Sequence, residues 1–214
     1  MIFMSDLRRF LRRKVFREVA EVQDIIMVSL AEKGVVLHGG TAIWRVYGGK
    51  RFSYDIDLYH QSPQEVSREL RRIDELTLEK ERVTSSGVLY SRLRRGRVAV
   101  EVDVSPFYRE VETVEGRYPM VDGSTLVVLT LTPEDLLREK AEAYLRRRRA
   151  KDLYDVYYLL GLVEPGRVAN SLRRLTEVLK APPSDMGELK ELILVGLAPS
   201  FNTMRREVLK HAKA

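Results

Sequence analysis

Apolar residues recur by threes and fours over residues 5–33, at Leu7, Phe10, Leu11, Phe16, Val19, Val22, Ile26 and Leu30. That spacing predicts a helical region with one buried face. Gly34 is expected to end it, because glycine accepts the left-handed backbone just past a helix. Val35–Leu37 then read as a short buried strand. At 62–65 the run "SPQE" predicts a helix start, with Ser62 as cap, Pro63 at the first helical position and Glu65 closing a capping box. This helix should run to about Asp74. Strand-like runs follow at 76–82, 87–94, 97–104 and 126–131. In the third, Val98, Val100, Val102 and Val104 alternate with Ala99, Glu101, Asp103 and Ser105. One face is apolar and the other carries two acids.

The pattern changes at "TPED", 132–135, a second capping box with proline at the first helical position. From there the spacing is helical, interrupted at Gly161, Pro165-Gly166 and Pro182-Pro183. The expected organisation is an α/β (α+β) domain over 1–131, with N-terminal helices, and a helical domain over 132–214.

Composition narrows the classes. A chain of 214 residues can bury a sizeable core. The absence of cysteine excludes disulfides, thiolate zinc sites and cysteine nucleophiles. No apolar run approaches the ~20 residues of a membrane span, and "MIFMSDLRRFLRRK" lacks a signal-peptide core, so a cytoplasmic protein is expected. The formal charge is +6, with 27 arginines against 10 lysines. Arginine's planar fork suits phosphate, although a charge-rich, ion-paired surface has the same composition.

The chemistry concentrates between Val35 and His60, "VVLHGGTAIWRVYGGKRFSYDIDLYH". A strand entering Gly39-Gly40 can turn tightly and approach a ligand with no β-carbon in the way. Thr41 is expected to cap a short helix, Ala42–Tyr47, leaving amides and a hydroxyl aimed at an anion. Asp55 and Asp57 lie two apart in an extended segment, roughly 6.6 Å along one face, while Ile56 and Leu58 point to the core. Such carboxylates can converge on metal ions about 3.5–4 Å apart. Glu101 and Asp103 offer a third carboxylate, either as a ligand or as a general base. All-oxygen donors favour Mg²⁺ (or Mn²⁺) over zinc.

The order strand, Gly-Gly-Thr, thirteen residues, Asp-x-Asp, then an acid on a later strand resembles the polymerase-β-like nucleotidyltransferase superfamily. Within it, "LHGGTAIWRVYGGKRFSYDIDL" is similar to the AbiEii-type nucleotidyltransferase toxins, with Arg51, Phe52, Ser53, Asp55 and Asp57 standing in the family pattern. The later family signature, a helical lysine, a basic stretch and Asp-x-x-Asp, is matched by "EKAEAYLRRRRAKDLYDVYYLL". The resemblance implies a mixed-sheet nucleotidyltransferase core whose cleft the helical domain completes. It implies an NTP as substrate, with Gly39, Gly40, Thr41, Arg51, Ser53 and Lys140 around the nucleotide, and Asp55, Asp57 and Asp103 at the metal. Lys140 would neutralise the triphosphate, and Asp152, ahead of Asp155, would help complete the catalytic set. Asp152 and Asp155 can equally favour a helix dipole, and Lys140 can snorkel at the core's rim.

The acceptor the resemblance suggests is RNA, the tRNA 3′ end among the choices, with a cognate antitoxin protein as partner. Alternatives are a protein or small-molecule acceptor, or a non-catalytic RNA- or protein-binding module on the same fold. The basic runs "RRRR" (146–149) and "RLRRGR" (92–97) would guide an RNA backbone if they flank the cleft, or form solvated faces. Tyr144, Tyr154, Tyr157 and Tyr158 read as core, and Trp44 as packing the short helix onto the sheet. His38 is near enough to the glycine turn to touch a phosphate, but three histidines make no metal cluster.

Overall fold

The first amphipathic stretch folds as two helices, α1 (Leu7–Phe10) and α2 (Lys14–Leu30). The structure, a computed structural model, describes residues 7–213. The expected helix start at residues 5–6 therefore lies outside the described residues, as does most of the apolar part of the N-terminal stretch. The arginine-rich link between α1 and α2 has no apolar residue after Leu11 to hold a further turn against the core. On α2 the predicted stripe is buried: Phe16, Val19, Val22, Ile26 and Leu30 are at most 3% exposed. Gly34 takes a left-handed backbone, φ +68°, and ends the region as expected.

The strands are β1 (Val36–His38), β2 (Ile56–Tyr59), β3 (Thr77–Val83), β4 (Leu89–Arg95), β5 (Val98–Ser105), β6 (Thr113–Pro119) and β7 (Thr125–Leu131). They form a mixed seven-stranded sheet in the order β3-β4-β5-β2-β1-β7-β6. The β2/β5 and β1/β7 pairs are parallel, and β1/β2, β4/β5 and β3/β4 are antiparallel. The helices α3 (Gly39–Arg45) and α4 (Pro63–Leu70) lie between strands in the chain. Both α2 and α4 pack on β5, where Val100, Val102 and Val104 are fully buried. The opposite face carries the acids.

β6 escapes the sequence pattern. Its residues "TVEGRYP" alternate weakly and hold a glycine and a proline. Gly116 is needed there: a β-carbon would overlap the Val46 side chain and stand 3.1 Å from Thr130 Cγ2. The capping box at Ser62 also fails to form, since Ser62 makes no side-chain cap and its amide donates to His60 Nδ1 at 3.1 Å. At Thr132 the side-chain cap does form, with the hydroxyl accepting from Asp135 N at 3.3 Å.

Two compact units result. Residues to Gly48 and from Phe52 to Thr130 form the sheet unit, while Gly49–Arg51 joins Leu131 and the following residues in a helical unit. A buried ion pair knits the sheet unit. Arg45, fully buried, meets Asp24 Oδ1 at 2.8 Å, and its guanidinium donates to Ala20 O and Pro119 O, both at 2.9 Å. Asp24 Oδ2 accepts from Val121 N at 2.7 Å. Burial still pushes the Asp24 carboxyl up despite Arg45.

The helical unit holds α5 (Pro133–Arg147), α6 (Ala150–Leu159), α7 (Pro165–Val178), α8 (Met186–Leu192) and α9 (Phe201–His211). Its core includes Leu136, Leu137, Leu153, Leu172 and Met204, all fully buried. Tyr144 and Tyr154 are buried as expected, whereas Tyr157 and Tyr158 are half-buried. No described helix is long and apolar enough to cross a membrane.

Candidate active site

Strand register assembles the acidic face. His38 on β1 pairs with Asp57 on β2, and Asp57 pairs in parallel register with Asp103 on β5. Cross-strand partners project to the same face, so His38, Asp57 and Asp103 form one row. Ile56, Leu58, Val102 and Val104 are fully buried on the other face. The predicted alternation puts the acids on this face, and the register sets Asp57 and Asp103 side by side. Glu101, one pleat along, is exposed and accepts from Arg92 Nη1 at 3.2 Å.

Asp55 lies in a bend just before β2, so strand periodicity does not fix its direction as the extended reading supposed. It is tied in through its backbone, whose carbonyl accepts from the Thr41 hydroxyl at 2.5 Å. Thr41 is fully buried and is not the expected helix cap: α3 starts at Gly39, with His38 at the capping position. Thr41 therefore joins the glycine turn to the acidic segment. Gly39 has φ +68°, and a β-carbon there would stand 2.7 Å from Asp57 Cγ and 2.9 Å from Asp57 Cβ. Only glycine lets the turn lie against this carboxylate. Gly40 is buried beside it.

Electrostatics mark Asp103. Burial first, then the negative charges of Asp57, Asp55 and Glu101, push its carboxyl up to about 7, with His38 pulling the other way. The His38 ring stacks on Tyr59 at 4.0 Å, and Tyr59 stacks on Phe107 at 5.3 Å. These two aromatic rings were not singled out in the sequence, although Tyr59 continues the two-residue period of Asp57.

Among the described residues, no group of three or more His, Cys, Asp or Glu forms a ready-made metal cage. The donor chemistry nevertheless fits Mg²⁺, which is commonly held by one or two carboxylates, with waters and substrate phosphates completing the sphere. Two adjacent carboxylates that repel one another's charge supply that number.

A second carboxylate cluster lies within the helical unit. Arg51 Nε donates to Asp155 Oδ1 at 2.6 Å, its Nη2 reaches Oδ2, and Lys140 Nζ meets Oδ2 at 3.1 Å. Burial acts to raise Asp155, but Arg51 and Lys140 outweigh it and hold the carboxyl below its usual range. Asp152 takes Arg147 Nε and Nη2 at 2.6 and 2.7 Å. Segment 49–51 is pinned further by Leu194 N donating to Lys50 O at 2.8 Å. Arg51 and Lys140, expected around the nucleotide, thus have carboxylate partners. Ser53 is buried, its carbonyl accepting from Gln23 Nε2 at 2.9 Å. Half of the arginines in the basic runs are also paired: Arg92 and Arg94 clamp Glu79, Arg147 holds Asp152, and Arg149 lies 3.6 Å from Asp185.

Comparison with solved structures places the fold. JHP933 from Helicobacter pylori aligns with a TM-score of 0.63 and 18% identity over 94% of this chain and 91% of its own. A second H. pylori chain, described as a nucleotidyltransferase, aligns with a TM-score of 0.65 and 18% identity over 94% of both chains. The antibiotic-resistance factor ANT(2'')-Ia aligns with a TM-score of 0.51 and 14% identity over 76% of this chain and 95% of its own. At such identities the likeness is one of fold, and the fold is nucleotidyltransferase-like. No curated protein matches the chain. The family model for the nucleotidyl transferase AbiEii toxin of type IV toxin–antitoxin systems matches residues 23–182, about three quarters of the sequence, including the glycine turn, the acidic row and the Lys140–Asp155 cluster. The chain belongs to the AbiEii nucleotidyl transferase toxin family.

Proposed function

We propose that the protein transfers a nucleoside monophosphate from an NTP to an acceptor hydroxyl in a Mg²⁺-dependent reaction, with an RNA 3′ end, such as that of tRNA, as acceptor. The observation that carries this reading is the in-register pairing of Asp57 with Asp103, with Gly39 laid against the Asp57 carboxylate. The acceptor oxygen attacks the α-phosphorus, the bond to the bridging oxygen breaks, and pyrophosphate leaves. The metal, when bound, supplies positive charge against the phosphates.

Asp55 and Asp57 hold that metal, and Asp103 closes the donor set. Asp103 is also the carboxylate placed to take the acceptor's proton, because register sets it beside Asp57 on the open face. The turn at Gly39-Gly40 leaves backbone room for the phosphates. Thr41 acts by holding the Asp55 backbone, and Ser53 by holding the segment leading into it. Lys140, oriented by Asp155, neutralises triphosphate charge. Arg51, Asp152 and Asp155 position their partners. A cognate antitoxin follows from the family.

The test is incubation of the protein with labelled NTPs and Mg²⁺ across RNA and protein acceptors, beside Asp57→Ala. Wild type should transfer label to RNA and the variant should not. Equal labelling by the two would sink the metal assignment. A non-catalytic module on the same fold would bind RNA with neither metal nor NTP affinity by calorimetry.

A further inference from the structure

The row that carries the acids does not stop at Asp103. On β4, Tyr90 is the register partner of Asp103, and on β3, Arg82 is the register partner of Tyr90. The sequence His38–Asp57–Asp103–Tyr90–Arg82 therefore crosses five neighbouring strands on a single face, all within the sheet unit. Adjacent strands stand roughly 4.8 Å apart, so Arg82 is two strands, roughly 10 Å, from Asp103.

The last two residues of the row are unusual for their place. Tyr90 is 46% exposed, although its neighbours Leu89 and Ser91 are buried on the opposite face. Arg82 is exposed and, among the described residues, pairs with no carboxylate. Its neighbours behave differently. Arg92 and Arg94, one and two pleats along on β4, are clamped on Glu79, and Arg92 also on Glu101. Glu81, next to Arg82 in sequence, turns to the far side and holds Ser67 and Arg71. Glu79 and Glu101 thus neutralise Arg92 and Arg94, while Arg82 stays with one aromatic ring in line with the acids.

We infer that Tyr90 and Arg82 form the acceptor platform: the terminal base of a single-stranded RNA stacks on Tyr90 while Arg82 holds the backbone phosphate behind it. This inference rests on the transfer reading above and names its acceptor side. An aromatic face is tolerant of any base, and an adjacent arginine tracks the phosphate chain. The alignment brings the terminal ribose hydroxyl to Asp103, which accepts its proton as the oxygen bonds to the α-phosphorus and pyrophosphate departs. The excess of basic charge, +6 overall, complements the same polyanion. A protein hydroxyl would supply neither a planar base for Tyr90 nor a phosphate for Arg82.

The experiment measures binding and transfer separately on the full chain. Binding is read by anisotropy of a short fluorescein-labelled single-stranded RNA with a free 3′ hydroxyl, over a salt series and without NTP. Tyr90→Ala should weaken binding by about 5- to 150-fold, the equivalent of losing one base–aromatic stack. Arg82→Ser should weaken binding and flatten the log–log salt slope by about 0.7. Both should melt like wild type, and Arg71→Ser, on the far face, should bind like wild type. Transfer is read as the KM for the same RNA, expected to rise for both platform variants with the KM for NTP unchanged. Unchanged RNA affinity in Tyr90→Ala and Arg82→Ser, or an equal loss in Arg71→Ser, overturns the platform while leaving the transfer reading intact. Labelling of a protein hydroxyl in place of RNA overturns it as well. Tyr90-dependent RNA binding without any NTP-dependent labelling supports the platform and defeats the transfer reading instead.

Discussion

Asp57 and Asp103 stand side by side on an open sheet face, and among the described residues no lysine or arginine pairs with either. Asp152 and Asp155, both completely buried, are clamped by Arg147 and by Arg51 with Lys140. The two pairs use the same side chain for opposite purposes. Burying a carboxylate is costly unless a cation and hydrogen bonds compensate, and in the helical unit they do. At Asp57 and Asp103 the compensation is missing, and Asp103 responds by holding its proton up to about 7. A carboxylate left without a protein partner is available to an incoming cation, and one already paired fixes structure. The difference separates chemistry from scaffolding better than the presence of an aspartate in a family motif does.

The sharpest way to break this contrast is to delete one member of each pair. Asp57→Ala should lower nucleotidyl transfer by at least about a thousandfold, since charge stabilisation at a phosphoryl centre is worth several kcal/mol. Its melting temperature should stay level or rise, because a repelling charge is removed. Labelling assays and thermal melts together check this, and a large loss of stability would place Asp57 with the structural carboxylates. Asp155→Ala should do the reverse in stability. It removes the buried carboxylate that Arg51 and Lys140 share, so urea unfolding should show a loss of about 3–5 kcal/mol. A loss near zero would mean that the cluster does not hold segment 49–51.

How far this division is legible in the sequence depends on range. The strand "VAVEVDVS" shows its two faces by alternation alone, and Ile56 and Leu58, flanking Asp57, fix its side of the sheet. Register is not legible: nothing local selects Asp103 over Glu101 as the neighbour of Asp57, because pairing is set by the packing of β2 against β5. Nor is the partner of Asp155, Arg51, which lies 104 positions away. Thr41 reads locally as a cap because a threonine after two glycines has the chemistry of one, while its actual partner, the Asp55 carbonyl, is reached only after the chain folds back. The break between α1 and α2 and the strand β6 escape the pattern for a related reason. Both depend on what the rest of the fold leaves room for.

Thr41 offers a finer probe of the acidic side. Thr41→Val keeps the shape and removes the buried hydroxyl that donates to the Asp55 carbonyl. Stability should fall by about 1–2 kcal/mol. If the hydroxyl acts by positioning Asp55, kcat should fall with little change in the KM for NTP. A rise in that KM with kcat preserved would return Thr41 to the phosphate cradle.

Asp103→Asn should give the smallest effect on stability, and the sign is its most informative part. The carboxyl's pKa is about 7 in the folded protein and about 3.9 in an unfolded chain. Below the unfolded value both states are protonated and the group costs nothing. As pH rises from there, the unfolded chain sheds its proton freely while the native state retains it. Stability from this group is therefore lost progressively until pH passes about 7, and the loss is constant above. The amide in the variant cannot ionise, so Asp103→Asn should match wild type near pH 4 and be more stable at pH 8. Discounted for the side chain's partial exposure to solvent, the gain should be about 1 kcal/mol. Mg²⁺ should raise the wild-type melting temperature at pH 8, because a cation among Asp55, Asp57 and Asp103 removes the repulsion, and should raise that of Asp103→Asn much less. Equal Mg²⁺ shifts in the two proteins would mean that the cation binds elsewhere, and the open carboxylates would then lose the distinction from the paired ones.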